Sequence, residues 1–151
     1  MKPSLVQSFA GGLAGTVVMS LMMRFVAPIM LGHPMDIAAL IGKMMGGSLT
    51  MGLLMHLMNG VVIFPAVYAL VVFRMLPGPP VLRGALWGGV LWLAAEAVVM
   101  PMAGAGFFSA EIGGAMAALV ALMGHLVYGA LLGLVAGVAV VATPQRATGR
   151  V

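Results

Sequence analysis

The stretch GAMAALVALMGHLVYGALLGLVAGVAVVA, residues 114–142, contains no Asp, Glu, Lys or Arg. An α-helix that crosses the hydrocarbon core of a bilayer needs about 20 consecutive, mostly apolar residues, and this stretch is longer than that. It therefore predicts a transmembrane helix, with a histidine, His125, inside it.

The composition of the whole chain indicates the same class of protein. Of its 151 residues, 63% are hydrophobic and 7% are charged, and the mean hydropathy is +1.19. Soluble domains carry about 25% charged residues, and a small soluble fold could not bury this much apolar surface. We predict an integral membrane protein whose single transmembrane domain covers residues 1–151 and whose surroundings are the lipid bilayer.

Three further apolar segments are long enough to span a membrane. The sequence thus predicts an all-α, polytopic membrane protein with an up-down bundle of four transmembrane helices. The predicted helices cover residues 7–31, 50–73, 82–104 and 114–142. Asp36 follows the turn at His33-Pro34 and is expected to cap a short interfacial helix over residues 36–46.

Charged residues near the helix ends predict the orientation. One end carries Lys2, Arg74, Arg83, Arg146 and Arg150, and the other carries Asp36, Lys43 and Glu111. The positive-inside rule then places both termini on the cytoplasmic side of a bacterial or archaeal cytoplasmic membrane. We attribute the isoelectric point of about 10.4 to this topology, since it rests on only seven Lys and Arg residues, and we expect no nucleic-acid partner.

The two halves of the chain share a pattern of small and polar residues. Gly11-x-x-x-Gly15 aligns with Gly84-x-x-x-Gly88, Pro28 with Pro101, and His56-Leu57-x-x-Gly60 with His125-Leu126-x-x-Gly129. This pattern suggests a duplicated helical hairpin, with a symmetry axis along the membrane normal.

Each predicted helix carries one Arg, His or Glu in its interior, and in chain order these are Arg24, His56, Glu96 and His125. At about 1.5 Å per residue they lie roughly 12, 9, 12 and 16 Å from the outer helix ends. We predict that they form a buried polar cluster in the outer half of the bilayer. A buried charge costs at least about 2.5 kcal/mol, so Arg24 is expected either to pair with Glu96 or to snorkel to the outer interface.

The two histidines share a helical stripe with glycines, which are Gly60 on one helix and Gly129 and Gly133 on the other. Glycines allow close helix packing or make room for a flat ligand. The histidines are expected either to form hydrogen bonds between helices or to bind a ligand. The ligand would be a b-type haem held by both histidines, or a Cu or Fe ion held by His56, His125 and Glu96. The chain has no cysteine, which excludes thiolate sites.

Three sequence pieces, MDIAALIG, MPMAGAGFF and GHLVYGALLG, carry a resemblance to a known family. The chain resembles an uncharacterised family of small four-helix membrane proteins from bacteria and archaea, over most of residues 10–137. The resemblance implies the topology, and the family has no assigned activity to carry over.

Three functions are consistent with this sequence. No nucleophile–base set and no phosphate-binding signature is recognisable, so we predict that the protein is not an enzyme. The first hypothesis is an accessory or structural subunit that binds other membrane proteins or copies of itself. The alternative is a membrane protein that binds haem or a metal ion. The second alternative is the movement of protons or small solutes, although the inner half of the helices offers few polar residues for a path.

Overall fold

A computed structural model describes residues 3–141, and within them the chain is all α-helical. The long helices are α1 (Leu5–Leu31), α3 (Leu49–Leu70), α4 (Pro80–Met102) and α5 (Gly114–Val141), and a short helix, α2 (Ile37–Met44), joins the first two. Each long helix is long and apolar enough to cross a membrane. The predicted fold class, an all-α bundle of four apolar helices, is confirmed.

The two ends of the bundle are named here by their connections. Residues 71–79 join α3 to α4 at the link end, whereas residues 32–48 and 103–113 lie at the loop end. At the link end Arg83 donates hydrogen bonds to the carbonyls of Phe73 (2.9 Å) and Gly78 (2.8 Å). These bonds fix the link between α3 and α4.

Helix α5 is the central helix of the bundle. It packs along both α4 and α1, and α1 also packs on α3. Helices α3 and α4 meet at the link end, where the Tyr68 hydroxyl donates to the Pro80 carbonyl at 3.1 Å. Toward the loop end, no comparable packing joins α3 to α4 within residues 3–141. The bundle is therefore open on one side.

Glycines bring the backbones of α4 and α5 into contact. A Cβ atom on Gly84 would strike the carbonyl oxygen of Gly129, and one on Gly88 would strike that of His125. Gly133 lies against the Cα of Gly84 in the same way. No side chain fits between these two helices at those positions.

The aligned glycines of the two halves do not pack alike. Gly84 and Gly88 face α5, which belongs to the same hairpin. Gly11 and Gly15 also face α5, where Gly11 lies against the backbone of Leu132, although α5 belongs to the other hairpin. The duplication that the sequence suggests is therefore not reflected in the packing of these glycines.

Three helices are widened by a π-helical turn, and each turn ends two residues before a proline. The turns are Met22–Val26 in α1, Met58–Ile63 in α3 and Ala95–Val99 in α4. Proline has no N–H, and its ring would meet the carbonyl four residues earlier in a regular helix. In each turn the residue just before the proline donates five residues back, for instance Ala27 to Met22. The wider turn thus relieves the clash.

Each proline also leaves a carbonyl oxygen without its helical donor, because position 28 or 65 cannot donate five residues back. The freed carbonyl of Met23 accepts from the N–H of Met35 at 3.1 Å. The freed carbonyl of Gly60 accepts from the Tyr128 hydroxyl at 2.8 Å. The π turns therefore create tertiary hydrogen bonds that a regular helix could not accept.

Helix α2 forms a rigid corner with the start of α3. Asp36 caps α2, as predicted, and its Oδ1 accepts from the N–H of Ala39 at 2.8 Å. A Cβ atom on Gly52 would strike the carbonyl of Ala38, and one on Gly42 would come within 2.7 Å of the Ser48 carbonyl. The corner places α2 across the loop end of the bundle.

Candidate functional site

A cavity of about 270 Å³ lies between the four long helices and is bounded at the loop end by α2. Its polar lining residues are Thr16, His56, Asn59, His125 and Tyr128. Most of the other lining residues are large and apolar, among them Met19, Ile41, Met44, Met55, Leu91 and Met100. The cavity is therefore an apolar space with a few polar groups.

The link-end floor of the cavity is closed by hydrogen bonds. The Tyr128 hydroxyl donates to the Gly60 carbonyl, and the Thr16 hydroxyl donates to the Gly12 carbonyl at 2.7 Å. Both hydroxyl groups are thus engaged with backbone. A Cβ atom on Gly60 would strike the Thr16 oxygen, so α1 and α3 touch here.

His125 presents one ring nitrogen that is already engaged. Its Nδ1 lies 2.8 Å from the carbonyl oxygen of Ala121, one turn earlier on α5. A carbonyl oxygen only accepts, so Nδ1 carries the proton and, in a neutral ring, Nε2 is left as an acceptor. His125 can therefore accept a hydrogen bond or ligate a metal through Nε2.

His56 separates the cavity from a second space. Its side chain lines both the cavity and a groove of about 480 Å³, which lies between α1, α3 and residues 34–38. The Nε2 atom of His56 is 3.2 Å from the Ser20 hydroxyl oxygen. We call this second space the arginine groove, and its polar lining residues are Ser20, Arg24, Asp36 and His56.

Glu96 lies outside the cavity and bonds to the loop at residues 103–113. It is completely buried, and its Oε2 accepts from the Ser109 hydroxyl at 2.7 Å. Its Oε1 is also buried and has no hydrogen-bond partner among the described residues. Phe108 and Ser109 adopt left-handed conformations, with φ values of 50° and 57°, which non-glycine residues rarely do. The loop thus holds an unusual backbone where Ser109 meets Glu96.

The predicted four-residue cluster is not formed. Arg24 is exposed, with its guanidinium 5.7 Å from the centroid of the Phe25 ring, whereas Glu96 is paired with Ser109. The predicted Arg24–Glu96 pair is therefore wrong, and the alternative, that Arg24 snorkels to the outer interface, stays a prediction. Both residues lie in π turns, which redirect side chains relative to a regular helix.

The predicted metal set of His56, His125 and Glu96 is not formed either. Within the described part of the chain, no three His, Asp or Glu side chains come together where they could hold a metal ion. The reason is again Glu96, which bonds to Ser109 outside the cavity. Only the two histidines share the cavity.

The glycines near the histidines bring helices together. Gly129 and Gly133 lie against the backbone of α4, and Gly60 lies against Thr16 at the cavity floor. The π turns were not predicted from the sequence. The signal for the turns was present, since Pro28, Pro65 and Pro101 all fall inside apolar helices.

A family model described as Family of unknown function (DUF6789) matches residues 3–147. No curated protein and no solved structure matches the chain. The match covers nearly the whole sequence, which confirms the resemblance to an uncharacterised membrane protein family. With its four apolar helices, the chain is thus a small multi-pass membrane protein that belongs to DUF6789, a family of unknown function.

Proposed function

We propose that the protein holds a small, mostly apolar molecule in its central cavity and is not an enzyme. The observation that carries the proposal is the cavity itself, a hollow inside a bundle whose link-end half is closely packed. Small-molecule sites are typically apolar with a few well-placed polar groups. His56, Asn59 and His125 supply such groups here.

The cavity volume restricts the ligand. At about 270 Å³ it lies just below the range of roughly 300–1,000 Å³ that is typical of sites for drug-sized molecules. A single ring or one aliphatic chain suits this volume, whereas a whole porphyrin requires the helices to separate. The predicted b-type haem is therefore a less favoured ligand than a smaller apolar molecule.

The open side of the bundle offers the ligand a route from the bilayer. Cavity residues Met55 and Asn59 on α3 face cavity residues Ala94 and Ala95 on α4, and these two helices pack together only near the link end. A molecule dissolved in lipid would reach the cavity between α3 and α4. This route suits an apolar ligand and not a hydrated solute.

The other two hypotheses find less support. Glycine faces would suit the docking of an accessory subunit, but Gly11, Gly84 and Gly129 already pack on neighbouring helices of the same chain. Movement of solutes needs a path below the cavity, where Tyr68 and Leu132 are completely buried in the packed core. Both functions stay predictions.

The variant Ala95→Leu tests the proposal, because Ala95 lines the cavity and the larger side chain would fill part of it. Ala97→Leu is the matched control, since Ala97 lies in the same π turn but is exposed. Wild-type protein and both variants are purified in mild detergent and extracted with organic solvent, and the extracts are analysed by mass spectrometry. Overfilling a packed site costs about 1–3 kcal/mol, so Ala95→Leu should retain at least about fivefold less ligand.

Equal ligand content in the two variants, or no ligand in any sample, would contradict the proposal. The same samples are used for an absorbance spectrum and for elemental analysis. A Soret band would identify the ligand as haem and not as a small apolar molecule. A metal present in stoichiometric amount would identify it as a metal ion.

A further inference from the structure

Arg24 carries a charge in the part of α1 that spans the membrane. It lies eight residues before Gly32, where α1 ends, which is about 12 Å at 1.5 Å per residue. Its side chain is exposed, and its nearby aromatic group is Phe25. A cation at this depth is unfavourable unless it binds an anion or its side chain reaches the interface, so an anionic partner would stabilise Arg24.

The arginine groove gives Arg24 a defined place to meet such a partner. The groove is larger than the cavity, at about 480 Å³, and Ser20 and His56 line it together with Arg24. The carboxyl group of Asp36 lines it too, and its Oδ1 caps α2 by accepting from Ala39, so this group supplies acceptors and no donor. The donors that face a ligand in the groove are therefore the guanidinium, the imidazole and the hydroxyl.

The arginine groove and the cavity meet at one side-chain contact. His56 lines both spaces, and its Nε2 lies 3.2 Å from the Ser20 hydroxyl oxygen. Rotation of the exposed Ser20 side chain and the half-buried His56 side chain would join a polar groove to an apolar cavity. A single elongated molecule could then occupy both, with a polar head on one side of His56 and an apolar tail on the other.

We propose that the arginine groove binds the anionic head group, a carboxylate or a phosphate, of a single-chain amphiphile whose tail occupies the cavity. This inference rests on the proposed function, and it adds the ligand class. Guanidinium groups bind carboxylates and phosphates through two parallel hydrogen bonds. The small volume of the cavity, about 270 Å³, favours one chain over two.

The test compares ligands that share a tail and differ in the head group. Binding of palmitate, hexadecyl phosphate and hexadecanol to purified protein in detergent is measured for wild type, Arg24→Gln and Arg74→Gln. Arg74 is exposed at the link end and serves as the matched cation control. We expect Arg24→Gln to weaken binding of both anions at least about tenfold, the effect of losing one charge-assisted hydrogen bond. Hexadecanol binding should stay unchanged, and Arg74→Gln should change none of the three.

Two further variants separate the two proposals. Arg24→Lys keeps the charge but not the planar donor pair, so it should recover part of the anion binding. Ala95→Leu should weaken all three ligands, because it acts on the tail. Anion binding that is equal in wild type and Arg24→Gln overturns the head-group site, while hexadecanol binding that depends on Ala95 keeps the cavity function. Failure of all three ligands to bind overturns the amphiphile site, while the cavity function is decided separately by the ligand retained in Ala95→Leu and Ala97→Leu. The tighter of the two anions identifies the head group as carboxylate or phosphate.

Discussion

Buried apolar clusters lie in both halves of the bundle, and the cavity lies between the link-end cluster around Tyr68 and the loop-end clusters around Ala27 and Ala105. At the link end, Gly84 of α4 and Gly129 of α5 touch through their backbones, and Tyr68 and Leu132 are completely buried. Toward the loop end, the helices separate around a cavity. The hollow therefore depends on backbone shape and not on a change in hydrophobicity.

The difference follows the prolines. Helix α5 has no proline and is a regular α-helix over Gly114–Val141, whereas α1, α3 and α4 each contain a π turn before Pro28, Pro65 or Pro101. Two of the π turns line the cavity, with Asn59 and Gly60 of α3 and Ala95 and Val99 of α4 among its lining residues. The widened turns thus lie where the helices separate around the cavity.

The largest expected effect comes from the closely packed half. Gly84→Ala places a Cβ atom against the carbonyl of Gly129, and neither backbone can move without separating α4 from α5. We expect a loss of about 3 kcal/mol in the free energy of unfolding, the upper end of the usual cost of overpacking, measured by denaturant or thermal unfolding in detergent.

Gly89→Ala is its control on the same helix, because the nearest atom to the new Cβ is a Leu126 methyl carbon at 4.0 Å. Alanine is the better helix former by roughly 0.5–1 kcal/mol, so this variant should be slightly more stable than wild type. Equal losses in both variants would show that the close α4–α5 contact does not determine the stability of this half.

A smaller effect is expected where a π turn is tied to α5. Tyr128→Phe removes the hydroxyl that donates to the Gly60 carbonyl. Pro65 has no N–H that could donate in its place. An unsatisfied buried carbonyl costs about 1–3 kcal/mol, read from the same unfolding measurements.

The double variant Tyr128→Phe/Pro65→Ala sharpens this test. Alanine at position 65 restores an N–H that can donate to Gly60, so part of the loss should be recovered. If adding Pro65→Ala to Tyr128→Phe lowers the free energy of unfolding further, the hydrogen bond to the Gly60 carbonyl is not the reason why Tyr128 stabilises the protein.

The Glu96–Ser109 bond should contribute a comparable or smaller amount. Ser109→Gly removes the hydroxyl and tolerates the left-handed backbone at this position, where φ is 57°. We expect a loss of about 1–2 kcal/mol. In a Glu96→Leu background the same substitution should cost almost nothing, because no carboxylate is left to pair. A loss of equal size in both backgrounds would remove the role given to this bond.

The smallest effect is expected at the α2 corner. Asp36→Ala removes the carboxylate that accepts from the N–H of Ala39 and caps α2. Loss of such a cap typically lowers the free energy of unfolding by about 1 kcal/mol. Asp36→Asn keeps an acceptor and should change stability by only a few tenths of a kcal/mol. Equal losses for Asn and Ala would point to the charge of Asp36 and away from the cap, since both substitutions remove the charge and only Asn keeps the acceptor.

The sequence predicts the elements of this fold well and their contacts poorly. Four apolar segments and the Asp36 cap are local properties, which the residues themselves determine. The Arg24–Glu96 pair failed because equal depth and regular helical phase do not hold through a π turn. Ser109 could not be predicted as the partner of Glu96. That contact depends on Phe108 and Ser109 adopting left-handed conformations, which residues of these types rarely do.

The glycines illustrate the same limit in another way. Their position on a close-packing stripe could be predicted, but their partners could not. Gly60 lies against Thr16, whereas Gly129 lies against α4, although both glycines follow a histidine by four residues. The spacing of glycines predicts that a helix face can be approached closely, and only the tertiary arrangement decides which helix packs against it.

The rigid corner between α2 and α3 has a consequence for exchange of a bound molecule. Gly42 and Gly52 join α2 to the start of α3 by backbone contact, so the two cannot move apart. A change in the width of the opening between α3 and α4 would therefore move α2 and the first turns of α3 as one unit, up to the π turn at Met58–Ile63.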